Sequence, residues 1–272
     1  MSALIDLLAT TDLEPFPLAE PNYRMIREDR DEAPALHSDP NRGRFIVFDG
    51  IDGTGKTTLV DITKRFLCSL GLTVQGTKQP GGSAYGDKIR QILFEEPGSA
   101  NIEPTALEAL FLSNHLHNCR EVEGHLSAGA WVVADRWSQS AIPYAAARGE
   151  ARSDVRDLYR KLVPLVRWDL FFLMLDDPFK AVARANARTT ETHQTKKKWN
   201  DPNAQARVQN EFLRMFGSDI RTEKVWFEDR GPIDMFEKLI APGLKRLFSW
   251  RELQVNGFGE ALDLFVSREY QR

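Results

Sequence analysis

The chain has 272 residues, of which 42% are hydrophobic and 28% charged, a composition typical of a globular protein that buries a sizeable core. A formal net charge of −3 argues against a broadly basic nucleic-acid-binding protein. The two cysteines, Cys68 and Cys119, show no metal-ligand spacing and form no disulfide framework, and no apolar run reaches the roughly 18 residues that span a membrane. We therefore expect a cytoplasmic protein without a membrane anchor.

Residues 1–42 are predicted to form an acidic, proline-rich arm that precedes the folded domain. Residues 1–40 contain nine acidic side chains and three arginines, and the prolines of "LEPFPLAEP" are incompatible with a regular helix or a central strand. The first residues also lack the basic region and the apolar run of a secretory signal. The arm could cover a sheet edge, extend a dimer contact or remain loose.

From Arg44 onward, strands alternate with helices. "RFIVFDG" is a short apolar strand closed by glycine, and the helix that follows it places Leu59, Ile62, Phe66 and Leu70 on one stripe. Further strands are predicted at 72–77, 131–136, 169–175 and 224–229, and further helices at 85–94, 104–126, 138–148, 154–163, 179–188, 203–216 and 232–248. This alternation predicts an α/β fold with a parallel sheet covered by helices.

The segment "GIDGTGKT" carries the clearest functional signal in the chain. It fits the pattern G-x-x-x-x-G-K-[ST], and it lies between a predicted strand and a predicted helix, as a phosphate-binding loop does. In such a loop backbone amides surround the phosphates, the lysine reaches the β- and γ-phosphates, and the threonine hydroxyl binds Mg²⁺. The residues predicted to bind ATP here are Gly50, Gly53, Thr54, Gly55, Lys56, Thr57 and Thr58.

A second candidate lies at the end of the strand "WVVAD". Asp135 ends this strand, and ligands of parallel sheets gather at the carboxyl ends of the strands. Asp135 is therefore predicted to meet the magnesium ion together with Thr57. The adjacent Arg136 is a candidate catalytic residue, although an Asp-Arg pair at a strand end can also be a surface ion pair.

These residues belong to four motifs that resemble thymidylate kinases. "FDGIDGTGKTTL", "TKQPGGSAYGDKIRQIL", "ALFLSNH" and "VVADRWSQSAIPYAAARG" follow the order and approximate spacing of that family, and the resemblance covers about residues 44–248. It implies a three-layer P-loop kinase fold with a five-stranded parallel sheet, helices on both faces and a mobile lid. It also implies Mg²⁺-dependent transfer of the ATP γ-phosphoryl group to a deoxynucleoside monophosphate, typically dTMP, and a homodimer.

The resemblance divides the chain into the arm, a kinase domain at 43–250 with its lid at about 188–203, and a C-terminal extension at 251–272. Within the domain it implies roles for six acceptor-binding residues. Asp52 would lie near the acceptor sugar and phosphate, Arg90 would hold the acceptor phosphate, and Phe111 would stack on the base. Arg136 would lie between the acceptor and donor phosphates. Tyr144 would lie near the sugar 2′ position and disfavour ribose. Ser140 belongs to the "DRxxxS" pattern, which also contains Arg136.

On the donor side, the resemblance implies that Arg184 lies against the adenine of ATP. The P-loop lacks the arginine that some family members carry there, so the lid is expected to supply the extra cation. Arg188 and the run Lys196–Lys198 are the candidates, and Lys198 is predicted to contribute to the transition state. The alternative is a solvated basic loop without a catalytic role.

His115 is the main departure from the family, which usually has arginine four residues after the stacking Phe111. A histidine here could pack or face water, or it could recognise a base with a different edge or a bulkier 5-substituent. Lys78 and Gln79 likewise replace the usual Arg-Glu pair. The alternatives left open are therefore a kinase for another or base-modified deoxypyrimidine monophosphate, a P-loop kinase acting on nucleotides within DNA, and a regulator without turnover.

Overall fold

Five strands form one parallel sheet in the order β2-β3-β1-β4-β5 in the computed structural model. The structure describes residues 41–96, 101–149, 152–162, 166–192, 201–227, 230–255 and 257–271. The strands are β1 (Phe45–Gly50), β2 (Val74–Lys78), β3 (Trp131–Asp135), β4 (Leu170–Leu175) and β5 (Thr222–Trp226). Every residue of β1 and β4 is buried, as expected of central strands that are covered on both faces.

Helices cover both faces of this sheet. They are α1 (Lys56–Ser69), α2 (Ala84–Phe94), α3 (Pro104–Ser127), α4 (Ala141–Ala147), α5 (Arg152–Leu162), α6 (Pro178–Thr192), α7 (Pro202–Phe216), α8 (Pro232–Met235), α9 (Ala241–Lys245), α10 (Trp250–Val255) and α11 (Phe258–Tyr270), with a 3₁₀ turn at Ser138–Ser140 and a π-helical stretch at Phe236–Ile240. The predicted α/β fold with a five-stranded parallel sheet is confirmed. Among the described residues, no helix has the length and apolarity needed to cross a membrane.

Alternate side chains of β1 build two separate cores. Phe45 and Val47 pack with residues of α3, α4, α5 and α7, whereas Ile46 and Phe48 pack with residues of α1, the 232–248 segment and α11. This alternation follows from the two-residue period of a strand. The sheet is therefore the middle of three layers, and β1 is held from both sides up to the point where the P-loop begins.

The structure differs from the sequence predictions in the following regions. The predicted helix at 232–248 contains the π-helical stretch, because Pro242 has no N–H to donate and its ring crowds the preceding turn. Strand β5 ends at Trp226, three residues before the predicted end at 229. The segment from 251, to which the sequence assigned no role, contains α10 and α11.

Two predicted segments lie partly or largely outside the described residues. Residues 1–40 of the arm lie outside the described residues. The predicted lid at 188–203 overlaps the end of α6 and the start of α7, and residues 193–200 between them lie outside the description. The proposed domain limits therefore remain predictions.

Candidate active site

The loop between β1 and α1 depends on glycines in the left-handed region. Gly50, Gly53 and Gly55 have φ values of 131°, 87° and 77°. A Cβ on Gly50 would lie 2.2 Å from the carbonyl oxygen of Met174, and one on Gly53 would lie 1.9 Å from that of Ala181. The loop therefore packs backbone against backbone, as a cradle formed by main-chain amides requires.

Lys56 opens α1 and is almost fully buried. Its ammonium group donates to the carbonyl oxygen of Ile51 and, at 3.2 Å, to the hydroxyl of Thr54. Burial, together with the nearby positive charge of Arg136, lowers the pKa of Lys56 to about 7, although the neighbouring carboxylates of Asp52, Asp135 and Asp49 oppose this change. When a polyanion binds beside a lysine held in this way, it stabilises the charged form of the ammonium group.

Thr57 and Asp135 meet across the first turn of α1 and the end of β3. The Thr57 hydroxyl donates to Oδ2 of Asp135 at 2.5 Å. A hydroxyl and one carboxylate suit Mg²⁺, which usually keeps few protein ligands and is completed by phosphate oxygens and water. Within the described part of the chain, no group of three His, Cys, Asp or Glu side chains could hold a metal by itself. The donor set thus fits a nucleotide-bound magnesium ion.

Arg136 is fixed from three sides. Its Nη1 donates to Oδ1 of Asp49 at 2.9 Å and to the carbonyl oxygen of Gly50 at 2.6 Å, and its Nη2 donates to Oδ1 of Asp52 at 2.5 Å. The guanidinium also lies 5.1 Å from the ring centre of Tyr144. Its backbone φ of 71° is uncommon for a residue other than glycine, which is a feature found at functional positions. The arginine is pre-oriented toward the P-loop.

Asp49 is a residue of this site that the sequence analysis missed. Its carboxylate is fully buried and accepts hydrogen bonds from the Ser140 hydroxyl at 2.7 Å and from the Gly50 amide at 2.8 Å, besides Arg136. Burial raises the pKa of Asp49, while Arg136 and these donors oppose the rise. The available signal was an acidic residue in a strand that is otherwise apolar. Ser140 therefore supports Asp49, which in turn orients Arg136.

One cavity of about 590 Å³ joins the P-loop to the acceptor side. The predicted site residues that line it are Asp52, Gly53, Gly55, Lys56, Thr57, Thr58, Arg90, Phe111, Asp135, Arg136, Ser140 and Tyr144. Residues from four of the sequence motifs thus meet in one space. This convergence is what a two-substrate site needs, because donor and acceptor must lie side by side.

Two asparagines of α3 shape the acceptor side. Asn114 accepts from the Gly81 amide at 2.6 Å, and Asn118 donates to the Gly81 carbonyl at 2.7 Å. These bonds hold the Gly81–Gly82 turn, after which α2 begins. Arg90 of α2 donates to the carbonyl oxygen of Pro80 at 3.1 Å. The asparagines, spaced four residues apart on α3, thus position the loop that carries Gln79 and indirectly Arg90.

Helix α7 fastens the P-loop from the other side. The buried amide of Gln205 accepts from the backbone N–H of Asp52 at 3.0 Å. One turn later Gln209 bonds the backbone of Asp176 in both directions, at 3.0 and 2.9 Å. Sequence reasoning missed both residues, although two glutamines four residues apart on an apolar helix face were a visible signal.

Four predicted site residues do not line the cavity. The Thr54 hydroxyl turns inward to the Ile51 carbonyl at 3.1 Å, and Gly50 packs against β4. Arg184 donates to the carbonyl oxygen of Gly53 at 3.1 Å, pairs with Asp176 and lies 4.0 Å from the ring centre of Phe227. Arg184 therefore lies against the outer side of the P-loop.

The fourth is His115, whose predicted position facing the base does not match the structure. The ring is fully buried and lies behind Gln79, which lines the cavity. Its Nδ1 is 2.5 Å from Nε2 of Gln79. The hypothesis that His115 contacts the base directly is therefore corrected, because the ring does not reach the cavity. His115 can instead influence a bound base through Gln79.

Other lining residues did not appear among the sequence predictions. Glu108 and Arg148 form a buried ion pair beside Phe111, and Trp137 and Tyr159 contribute rings to the same wall.

Two residues that were predicted to act from the lid are not part of the described site. Lys198 lies outside the described residues, and so does the side chain of Arg188.

A family model described as Thymidylate kinase matches residues 48–225. Curated relatives are also named Thymidylate kinase. The chain is 38% identical to that of Nitrosomonas europaea over 118 residues, which is 43% of this chain and 54% of the relative. It is 35% identical to that of Methylobacillus flagellatus over 153 residues, or 55% and 73%, and 40% identical to that of Thermosipho africanus over 110 residues, or 40% and 52%. The chain thus spans about half the length of some of these relatives and nearly three quarters of another.

Proposed function

The chain belongs to the thymidylate kinase family, and on this premise we propose that it transfers the γ-phosphoryl group of ATP to a deoxynucleoside monophosphate, dTMP in the first place, to give the diphosphate. The observation that carries the proposal is the single cavity that joins Lys56, Thr57 and Asp135 on one side to Arg90, Phe111 and Tyr144 on the other. Arg136 lies between the two sides, at the place where the two sets of phosphates would meet.

Charge neutralisation and positioning account for the chemistry that these residues can perform. Lys56 neutralises the β- and γ-phosphates, Arg90 holds the acceptor phosphate, and Arg136 stabilises charge on the group in transfer. An acceptor phosphate oxygen is already ionised near neutral pH, so Asp52 is not required as a strong base. Its pairing with Arg136 instead fixes the guanidinium.

The acceptor nucleoside would lie along the other wall of the cavity. Phe111 offers a ring for stacking on the base, and the Tyr144 ring, held against Arg136, would exclude a ribose 2′-hydroxyl. Thr57 and Asp135 would hold Mg²⁺, which when bound neutralises phosphate charge and orients the triphosphate.

Two further features of the proposal concern the ATP side. We assign the adenine contact to Arg184, whose guanidinium lies over the Phe227 ring beside the P-loop. Arg188 and Lys198 would add cations when the lid closes, and closure would also exclude water. If Lys198→Ala retains kcat/KM within about threefold of the parent, a change of roughly 0.7 kcal/mol, the catalytic role of Lys198 is withdrawn.

The resemblance also supports a homodimer and a cytoplasmic location. A dimer would give a solution mass of about twice the 30.9 kDa of the chain, which light scattering at several protein concentrations can measure. The two free cysteines, one exposed and one buried, are compatible with a reducing compartment.

A coupled ADP-release assay with dTMP, dUMP, dCMP, base-modified deoxypyrimidine monophosphates and a DNA duplex tests the function. We expect turnover with a free monophosphate, and a loss of at least about 100-fold in kcat/KM for Lys56→Met. Preference for a modified base would favour the alternative acceptor. Turnover of DNA but not of dTMP would contradict the proposal, and ATP binding without acceptor-dependent turnover would favour a regulator.

A further inference from the structure

Gln79 and His115 form a two-layer pair at the cavity wall where the proposed function places the acceptor base. Gln79 follows β2, is partly exposed and lines the cavity, whereas His115 is fully buried behind it, one helical turn after Phe111. Their side chains meet at 2.5 Å, between Nε2 of Gln79 and Nδ1 of His115. The outer residue can therefore touch a ligand, and the inner one can hold the outer residue in place.

The surroundings of His115 keep its ring neutral and fixed. The ring packs edge-on against Trp137, with 4.5 Å between ring centres, and lies 5.8 Å from the ring of Tyr159. Its Nε2 is 3.5 Å from Sγ of Cys119. Among the described residues no charged partner compensates its burial, which lowers the pKa of His115 to about 3. A neutral imidazole has one N–H donor and one lone pair.

The hydrogen bonds of the Gln79 amide can then be counted. One N–H of the amide donates to the Nδ1 lone pair, and the N–H of His115 Nε2 is directed at Cys119. The second amide N–H remains, and Oε1 accepts from no side chain or amide among the described residues. Gln79 thus presents one donor and one acceptor to the cavity, next to each other and in a fixed order.

We propose that Gln79 determines base specificity by pairing with the adjacent N–H and C=O groups on the edge of a uracil- or thymine-type base, and that His115 is its positioning residue. This inference rests on the proposed function and names the group that reads the acceptor. The amide oxygen accepts from the ring N3–H, and the amide N–H donates to O4. Cytosine presents an acceptor and a donor in the reverse order. Meeting them would require the amide to turn its oxygen toward Nδ1 and the imidazole to carry its proton on Nδ1 instead of on Nε2 beside Cys119.

Three variants and a control test this pair. Gln79→Leu removes the amide at similar size, His115→Phe keeps a ring against Trp137 but removes both nitrogens, and the double variant combines the two. Gln75→Leu makes the same chemical change at an exposed position of β2 that does not line the cavity. For each protein, kcat and KM are measured with dTMP, dUMP and dCMP, together with KM for ATP and the melting temperature.

We expect Gln79→Leu to lower kcat/KM for dTMP by about 10- to 100-fold, mainly through KM, and to reduce the preference for dTMP over dCMP by at least about tenfold. His115→Phe should change the preference in the same direction with an unchanged KM for ATP. The double variant should match Gln79→Leu, because a positioning residue has no effect once the group it positions is gone. Gln75→Leu should resemble the parent.

The inference is overturned if the parent uses dTMP while Gln79→Leu keeps the dTMP-to-dCMP ratio within threefold of the parent. It is also overturned if His115→Phe changes that ratio further in the Gln79→Leu background, because His115 would then act on the base directly. If the parent turns over no free monophosphate, the proposed function itself fails, so the two failures can be told apart.

Discussion

At the scale of single residues, two glycines of the P-loop have similar positive φ values but different surroundings. Gly53 and Gly55 both have positive φ, yet a Cβ on Gly53 would meet the backbone of Ala181 at 1.9 Å, whereas one on Gly55 would find its nearest atom, in the Phe227 ring, at 3.8 Å. Each glycine therefore allows the turn, but Gly53 also allows the loop to contact α6.

We expect Gly53→Ala to be the more damaging of the two substitutions. Gly55→Ala should lower the free energy of unfolding by about 1–2 kcal/mol, because alanine is strained at positive φ. Gly53→Ala should cost about 1–3 kcal/mol more, since backbone atoms of α6 must also move. Urea unfolding of both variants without ATP measures the difference, and equal losses would contradict the close approach at Gly53.

His115 gives a second residue-scale prediction, on stability against pH. Burial lowers its pKa to about 3, whereas an imidazole in the unfolded chain has a pKa near 6.5. Between these values the unfolded chain binds more protons, so the stability due to neutral His115 is complete above pH 6.5 and falls as the pH falls toward 3. The neighbouring Cys119 and Tyr159 stay neutral throughout this range, because burial raises the pKa of each.

The parent should therefore lose about 2 kcal/mol of stability between pH 7 and pH 5 that His115→Phe does not lose. Unfolding free energies of the two proteins at both pH values give this difference, in which the other titrating groups cancel. Parallel pH profiles for parent and variant would show that His115 is not buried as the structure has it.

Residues that stand in local motifs could be identified from the sequence, and residues that support them through distant contacts could not. Lys56 and Arg136 stand in local motifs next to predicted strands, and Phe111 was assigned through the resemblance to thymidylate kinases. The structure brings all three to the lining of one cavity, and their roles stay predictions. Asp49 and Gln205 act through contacts with elements far away in the chain, at 87 and 153 residues' separation. No local pattern gives such a partner, and the burial of His115 behind Gln79 depends on tertiary packing in the same way.

At the scale of elements, α3 and the end of α4 are joined by the ion pair of Glu108 and Arg148. The side chain of Glu108 is 3% exposed and that of Arg148 is 15% exposed. Removing one member of a buried pair leaves an uncompensated charge, and the penalty grows with burial. The pair therefore fixes the helix that carries Phe111 against the wall that carries Tyr144.

We expect Arg148→Met to destabilise the protein by about 3 kcal/mol or more, because it strands the more deeply buried carboxylate. Glu108→Leu should cost less, and the double variant should cost less than the sum of the single changes. Thermal unfolding of the four proteins completes the cycle. Additive losses would mean that the two side chains are not coupled.

How well the bounds of strands and helices could be predicted depends on how deeply each element is buried. Central strands such as β1 and β4 were placed within a residue, because burial on both faces makes a continuous apolar run. Strand β5 is half exposed at the sheet edge, and its predicted bounds lie two residues late at the start and three residues late at the end. The π-helical stretch before Pro242 escaped prediction, since the same letters also fit a continuous helix.

At the scale of the whole molecule, the C-terminal helix completes a core that begins at the P-loop. Phe66 of α1 lies 5.2 Å from Phe258 and 5.5 Å from Phe265 of α11, ring centre to ring centre, and Arg65 pairs with Glu269. Helix α11 lies beyond residues 48–225, where the family model matches. The chain therefore uses a segment outside the family pattern to support the helix that carries Lys56.

This arrangement predicts that α11 stabilises the kinase core without taking part in its chemistry. Phe258→Ala should lower the free energy of unfolding by about 3–5 kcal/mol, because it leaves a cavity among Phe66 and Phe248. Leu264→Ala on the same helix is the matched control, since Leu264 is 53% exposed and its loss should cost within about 0.5 kcal/mol. Both variants should keep the parent's kcat and KM for ATP well below their melting temperatures. A folded Phe258→Ala protein with altered KM for ATP but parental stability would show instead that α11 acts on the nucleotide site, because lost packing alone would lower stability first.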